Sequence, residues 1–131
     1  MKAKSSISRL FTLLAASAAL CVTAYAAGGD AARGQQVYES RCGGCHSLDS
    51  SRVGPRHRGV FGRRAGAVPD FSYSPALAMA KVIWNASTLD QWLRNPEAFL
   101  PGQRMNIRVQ TEQDRADIIA FLRAESMKEG N

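Results

Sequence analysis

The chain holds 131 residues, which allows one small domain at most. Its formal net charge is +6, from 17 Lys and Arg against 11 Asp and Glu. Lys2, Lys4 and Arg9 supply three of those cations, so the chain beyond them carries only +3, and charge does not support nucleic-acid binding.

The first 26 residues read as an export signal. Lys2, Lys4 and Arg9 form its positive start, and the run from Leu10 to Ala24 is uncharged and mostly apolar. Ala24-Tyr25-Ala26 supplies the small residues of a cleavage site, which predicts cleavage after Ala26. The apolar run is about 15 residues, short of the ~20 that a spanning helix needs, so no membrane span is expected after cleavage. Cys21 follows Leu20, where a lipoprotein site wants a small residue. The mature domain is then residues 27–131.

Asp30 predicts an N-cap for a helix from Ala31 to about Cys42, with Gly34, Val37 and Tyr38 on one face. Gly34 lets a second helix come close. Cys42-Gly43-Gly44-Cys45-His46 follows at once. A disulfide or dithiol centre would suit Cys-x-x-Cys, but no βαβ pattern or convincing strand surrounds it. Cys42, Cys45, His46 and His57 could supply four zinc ligands, although His46 beside Cys45 fits a tetrahedron poorly. Cys-x-x-Cys-His is the spacing for covalent attachment of one haem c. Each thiol adds to one porphyrin vinyl group, and the next residue is carried under the iron.

Such an iron needs a second axial ligand, and a soft thioether raises its potential. Met79 lies in an apolar helix-like stretch and reads as core packing. Met127 sits in the polar C-terminal region. Met105 follows the turn-rich Pro101-Gly102-Gln103-Arg104 and is the favoured ligand. His57 is its rival, but it lies close to His46 in sequence, between Pro55 and Gly59. Ser74-Pro75 predicts a helix start. Thr88-Leu89-Asp90-Gln91 fits a capping box for a helix that stops before Pro96. Glu112 to about Met127 is helical by period, and its Ile118 and Phe121 are natural partners for Gly34. The long irregular stretches Ser47–Asp70 and Glu97–Gln110 make sense if they wrap a prosthetic group.

These landmarks form an ordered set. Gly29-Asp30 with Gly34 and Tyr38 precede the cysteine motif. Val53-Gly54-Pro55, Gly59-Val60-Phe61-Gly62-Arg63 and Phe71-Ser72-Tyr73-Ser74 follow it. Trp84, Asn95-Pro96, Pro101-Gly102 with Met105, and Ile118-Ile119-Ala120-Phe121-Leu122 complete it. The chain resembles class I cytochrome c, in particular periplasmic bacterial relatives of mitochondrial cytochrome c.

The resemblance implies an all-α fold, with crossing N- and C-terminal helices and short helices and loops around one covalent haem. It implies thioether links at Cys42 and Cys45, and axial ligation by His46 and Met105. The Pro55 carbonyl would accept the other imidazole N–H, Tyr73 and Trp84 would hydrogen-bond a propionate, and Arg63 would offset its charge. Four positions depart from common family choices. His57 replaces a frequent leucine, Trp92 a tyrosine that hydrogen-bonds the methionine sulfur, Leu77 an asparagine, and Gln103 a threonine.

The implied function is non-enzymatic, outer-sphere electron transfer by a monomeric periplasmic carrier. Its partners would be redox proteins such as a quinol-cytochrome c reductase, a terminal oxidase or a dehydrogenase. Arg41, Arg56, Arg104 and Arg108 would form a basic docking ring, so that transfer slows as salt rises. The alternative is a fixed haem subunit of a periplasmic dehydrogenase complex.

Overall fold

A computed structural model of the chain describes residues 28–128. The export signal expected over residues 1–26 lies outside them. Asp30 opens the fold as an N-cap, its carboxylate accepting the Ala32 and Arg33 N–H groups that a first helical turn leaves unpaired. Helix α1 then runs over Ala31–Arg41 with Cys42 as its C-cap.

The C-terminal helix α5, Glu112–Met127, crosses α1 in close contact. The contact depends on missing side chains. A Cβ on Gly34 would overlap the Asp117 carbonyl and stand 3.0 Å from the Phe121 Cβ, and one on Gly29 would overlap the Ala116 carbonyl. Phe121 is thus the partner expected for Gly34, while Ile118, fully buried, lines the cavity described below. Burial of each such large side chain contributes about 1.5–3 kcal/mol.

Polar groups fix the same crossing. The Asp117 side chain is fully buried, and its carboxylate accepts from Asp30 N (2.7 Å), Gln113 Nε2 (2.9 Å) and the Arg33 guanidinium. Arg33 also donates to Asp114 at 2.5 Å. A carboxylate at this end of α1 faces the positive pole of the helix.

Three short helices lie between. Helix α2, Pro75–Met79, starts at the Ser74 cap as expected. Met79 itself is 76% exposed, so the core role read from its apolar neighbours is corrected: one helical turn and a half buries too little surface to draw it in. Helix α3, Ala86–Arg94, has its N-cap three residues before the expected Thr88 cap. Asn85 is the N-cap, and Thr88 closes the capping box as its third helical residue. Asn95 ends α3 and caps α4, Pro96–Phe99, a helix that overlaps the start of the stretch Glu97–Gln110 read as irregular.

Among the described residues there is no strand, only one antiparallel bridge between Arg64 and Ile83. Its flanks are firm: Gly62 N–H donates to the Trp84 carbonyl (2.7 Å), Trp84 N–H to Arg63 (2.9 Å) and Ala65 N–H to Val82 (2.8 Å). This pairing sets Arg63 beside Trp84. The fold is all-α, as predicted, and its helices and loops surround one apolar cavity.

Candidate functional site

The site starts where α1 stops. Cys45 N–H and His46 N–H both donate to the Cys42 carbonyl, at 3.0 and 2.9 Å, so the cysteine motif is one tight turn hung on the helix end. His46 is buried, and its Nδ1 lies 2.8 Å from the Pro55 carbonyl oxygen. A carbonyl only accepts, so Nδ1 carries the proton and Nε2 keeps a lone pair. Burial pushes the His46 pKa below the usual value, against the opposing pull of Pro55. The imidazole is therefore neutral at pH 7, the form that ligates a metal. A Cβ on Gly54 would overlap the His46 ring, so the chain here passes against it.

The cavity measures about 710 Å³, inside the ~300–1,000 Å³ common for ligand sites. Every sequence-predicted site residue lines it: Cys42, Cys45, His46, Pro55, Arg63, Tyr73, Trp84 and Met105. Val60, Leu93, Val109, Ile118 and Leu122 give it apolar walls. The Tyr73 hydroxyl accepts the Val68 N–H at 3.4 Å and retains its own proton to donate. Arg63 is half-buried and donates to the Arg58 and Arg56 carbonyls, both at 2.8 Å, which rules out a loose surface charge. Cys45 and Val53 stand exposed on the cavity lining, and Arg41 and Arg104 are exposed lining residues as well. Arg108 is exposed outside the lining, and Arg56 is half-buried.

Neither alternative reading of the cysteines finds support here. Burial pushes the Cys42 thiol up to about 11, outweighing the Arg41 charge. Dithiol oxidoreductases need the opposite, a thiol made acidic. Among the described residues, no three of His, Cys, Asp and Glu converge closely enough to hold a metal ion by themselves, so a Cys/His zinc site does not form.

Comparison with known proteins agrees. The family model described as cytochrome c matches residues 31–126. The chain belongs to the cytochrome c family. It is similar to cytochrome c of Euglena viridis, with 40% identity over 72% of this chain and 96% of the relative. It is similar to cytochrome c2 of Rhodomicrobium vannielii, with 42% identity over 76% of this chain and 82% of that one. Among solved structures, cytochrome cH from Methylobacterium extorquens matches with a TM-score of 0.70 and 34% identity, covering 73% of this chain and 99% of that protein. One covalent haem c is the cofactor, and haem-based electron transfer is the function of this class I cytochrome c. The cavity fits that group: two thiols, an imidazole with an unpaired Nε2 and a thioether open on one apolar space.

The departures from common family choices are visible here. Trp92 is buried on the cavity wall, with its ring 5.5 Å from Trp84. Leu77 lines the cavity, whereas Gln103 does not. Its Nε2 donates to Glu97 (3.2 Å), and its Oε1 is buried without a partner among the described residues. His57 lies against His46, with ring centroids 4.0 Å apart, so it stands on the His46 side of the cavity.

Sequence reasoning missed three contributors. Gly54 was seen only as a landmark, and Tyr38 only as a helix-face residue. Arg115 gave no signal beyond being one of several charges in the C-terminal helix, yet it is buried. Its guanidinium donates to Asp90 (2.6 Å) and to the Val109 and Gln110 carbonyls (3.1 and 2.9 Å). It holds the end of the segment that carries Met105.

Proposed function

We propose that this cytochrome c is a one-electron shuttle, exported by its N-terminal signal and working in the periplasm as a domain of residues 27–131. Cys42 and Cys45 would anchor the haem by thioether bonds, and His46 and Met105 would ligate its iron. The observation that carries this reading is the gathering of all four side chains on one apolar cavity.

The bound haem supplies a one-electron ferric/ferrous iron couple. The protein's part is positioning. Pro55 holds the His46 ring by its Nδ1–H and raises the basicity of Nε2. With both His46 and Met105 bound to the iron, no position would stay open for dioxygen or peroxide. Tyr73 and Trp84 would hydrogen-bond a haem propionate and Arg63 would offset its charge, because a propionate buried without partners would be costly. The apolar walls exclude water and favour the less charged state. Partners approach at Cys45 and Val53, steered by Arg41 and Arg104, through transient contacts that weaken as salt rises.

Optical spectroscopy of the purified ferric protein tests the ligand set. The weak red charge-transfer band of sulfur-to-iron ligation is expected in the wild type and lost in Met105→Ala. Its absence from the wild type, or its survival in Met105→Ala, overturns the assignment.

A further inference from the structure

His57 has no place in the electron-transfer reading so far, yet its ring is the closest aromatic neighbour of a ligand. The two imidazoles are nearly parallel, 18° apart in plane with centroids 4.0 Å apart. His57 is itself held. Its Nδ1 lies 3.2 Å from the Tyr38 hydroxyl oxygen, and the Tyr38 ring meets it edge-on at 5.6 Å. Tyr38 is buried on α1 and packs on Phe121 of α5, with ring centroids 5.2 Å apart. The backbone pairs the two segments as well: His57 N–H donates to the Ser47 carbonyl (3.0 Å) and Arg58 N–H to Leu48 (2.8 Å).

We infer that His57 is a positioning residue that fixes the plane of the His46 ring, with Tyr38 fixing His57 in turn. The inference rests on His46 being an axial ligand. One N–H···O bond to Pro55 tolerates tens of degrees of misalignment. A parallel ring at van der Waals distance removes that freedom, because tilting His46 drives its atoms into His57. Leucine, frequent here in the resembling family, would fill the volume without a flat face and without a bond to Tyr38. The chain therefore has a rigid path from the α1–α5 contact through Tyr38 and His57 to the ligand.

The plane and freedom of an axial imidazole govern the anisotropy of the low-spin ferric signal, so electron paramagnetic resonance of the ferric holoprotein reads the inference directly. The variants are His57→Phe, which keeps a flat ring, His57→Leu, which removes it, and Tyr38→Phe, which removes one oxygen. His57→Leu is expected to shift or broaden the largest g value by more than the wild-type linewidth, while keeping the red sulfur band. His57→Phe is expected to stay within that linewidth.

An unchanged signal in folded His57→Leu overturns the inference. So does a change in His57→Phe as large as in His57→Leu. If His57→Leu yields no holoprotein, Tyr38→Phe decides: a broadened signal supports the inference and an unchanged one overturns it. A wild type without the sulfur band overturns the ligand assignment instead, which keeps the two failures apart.

Discussion

At the scale of single residues, the site is set by atoms that must be present and atoms that must be missing. The cysteine motif shows the first kind. Gly54 shows the second, because the His46 ring occupies the space a Cβ would need. Gly54→Ala is expected to cost about 1–3 kcal/mol of stability through overpacking and to lower the yield of haem-loaded protein. Gly44→Ala is the control, since an added Cβ there meets nothing within 4 Å. Denaturant midpoints and haem content per protein measure both. The motif was legible because its chemistry lies in consecutive residues. The role of Gly54 was not, because it depends on a ring eight positions back that only the folded loop brings against it.

At the scale of elements, the segment that carries Met105 is pinned at both ends. Gly102 N–H donates to the Glu97 carboxylate at 3.2 Å, and Val109 N–H donates to the Leu93 carbonyl at 2.8 Å. The Arg115 guanidinium then grips Val109 and Gln110 while paired with Asp90, tying the segment to α3 and α5. Removing it leaves two carbonyls and a carboxylate short of a donor. Arg115→Ala is expected to lower stability by about 2–3 kcal/mol. The red sulfur band should fade at lower denaturant than the helical circular dichroism, because the segment loosens before the helices do. Most helices were legible from caps and periodicity. The start of α3 was displaced because both Asn85 and Thr88 are good caps, and the competition was settled by reciprocal bonds in which Thr88 serves Asn85.

At the scale of the whole molecule, the end of α5 closes on the loop that carries Pro55 and His57. Arg58 reaches Asp49 and Glu125, the latter at 2.8 Å, and Lys128 donates to Glu125 at 2.5 Å. Phe61 N–H donates to Ser126 Oγ at 3.0 Å, and Arg123 lies over the Phe61 ring. Hydrogen bonds from Lys128 and Arg58 hold the Glu125 carboxyl below its ordinary value of 4.5, outweighing its burial. The folded-state value is the depressed one, so the unfolded chain binds the proton first as pH falls. The stability this adds is present above about pH 4.5 and is lost as pH falls through the folded value. Wild type should therefore exceed Glu125→Gln in denaturant midpoint at pH 7, and the gap should shrink below pH 4.5. A gap constant with pH would show that the carboxylate charge contributes nothing.

The amino-acid sequence by itself determined the haem c cofactor, the family and the two long helices, and it singled out Met105 as the favoured second ligand. Those depend on residue identity at fixed short spacing or on helical period, both properties of the linear chain. Only the tertiary structure decided that His57 stacks on His46, that Arg115 grips the Met105 segment, that Met79 faces outward and that Gln103 turns from the cavity to Glu97. Those depend on which distant residues meet, and the burial of a shared core around one cavity fixes those meetings.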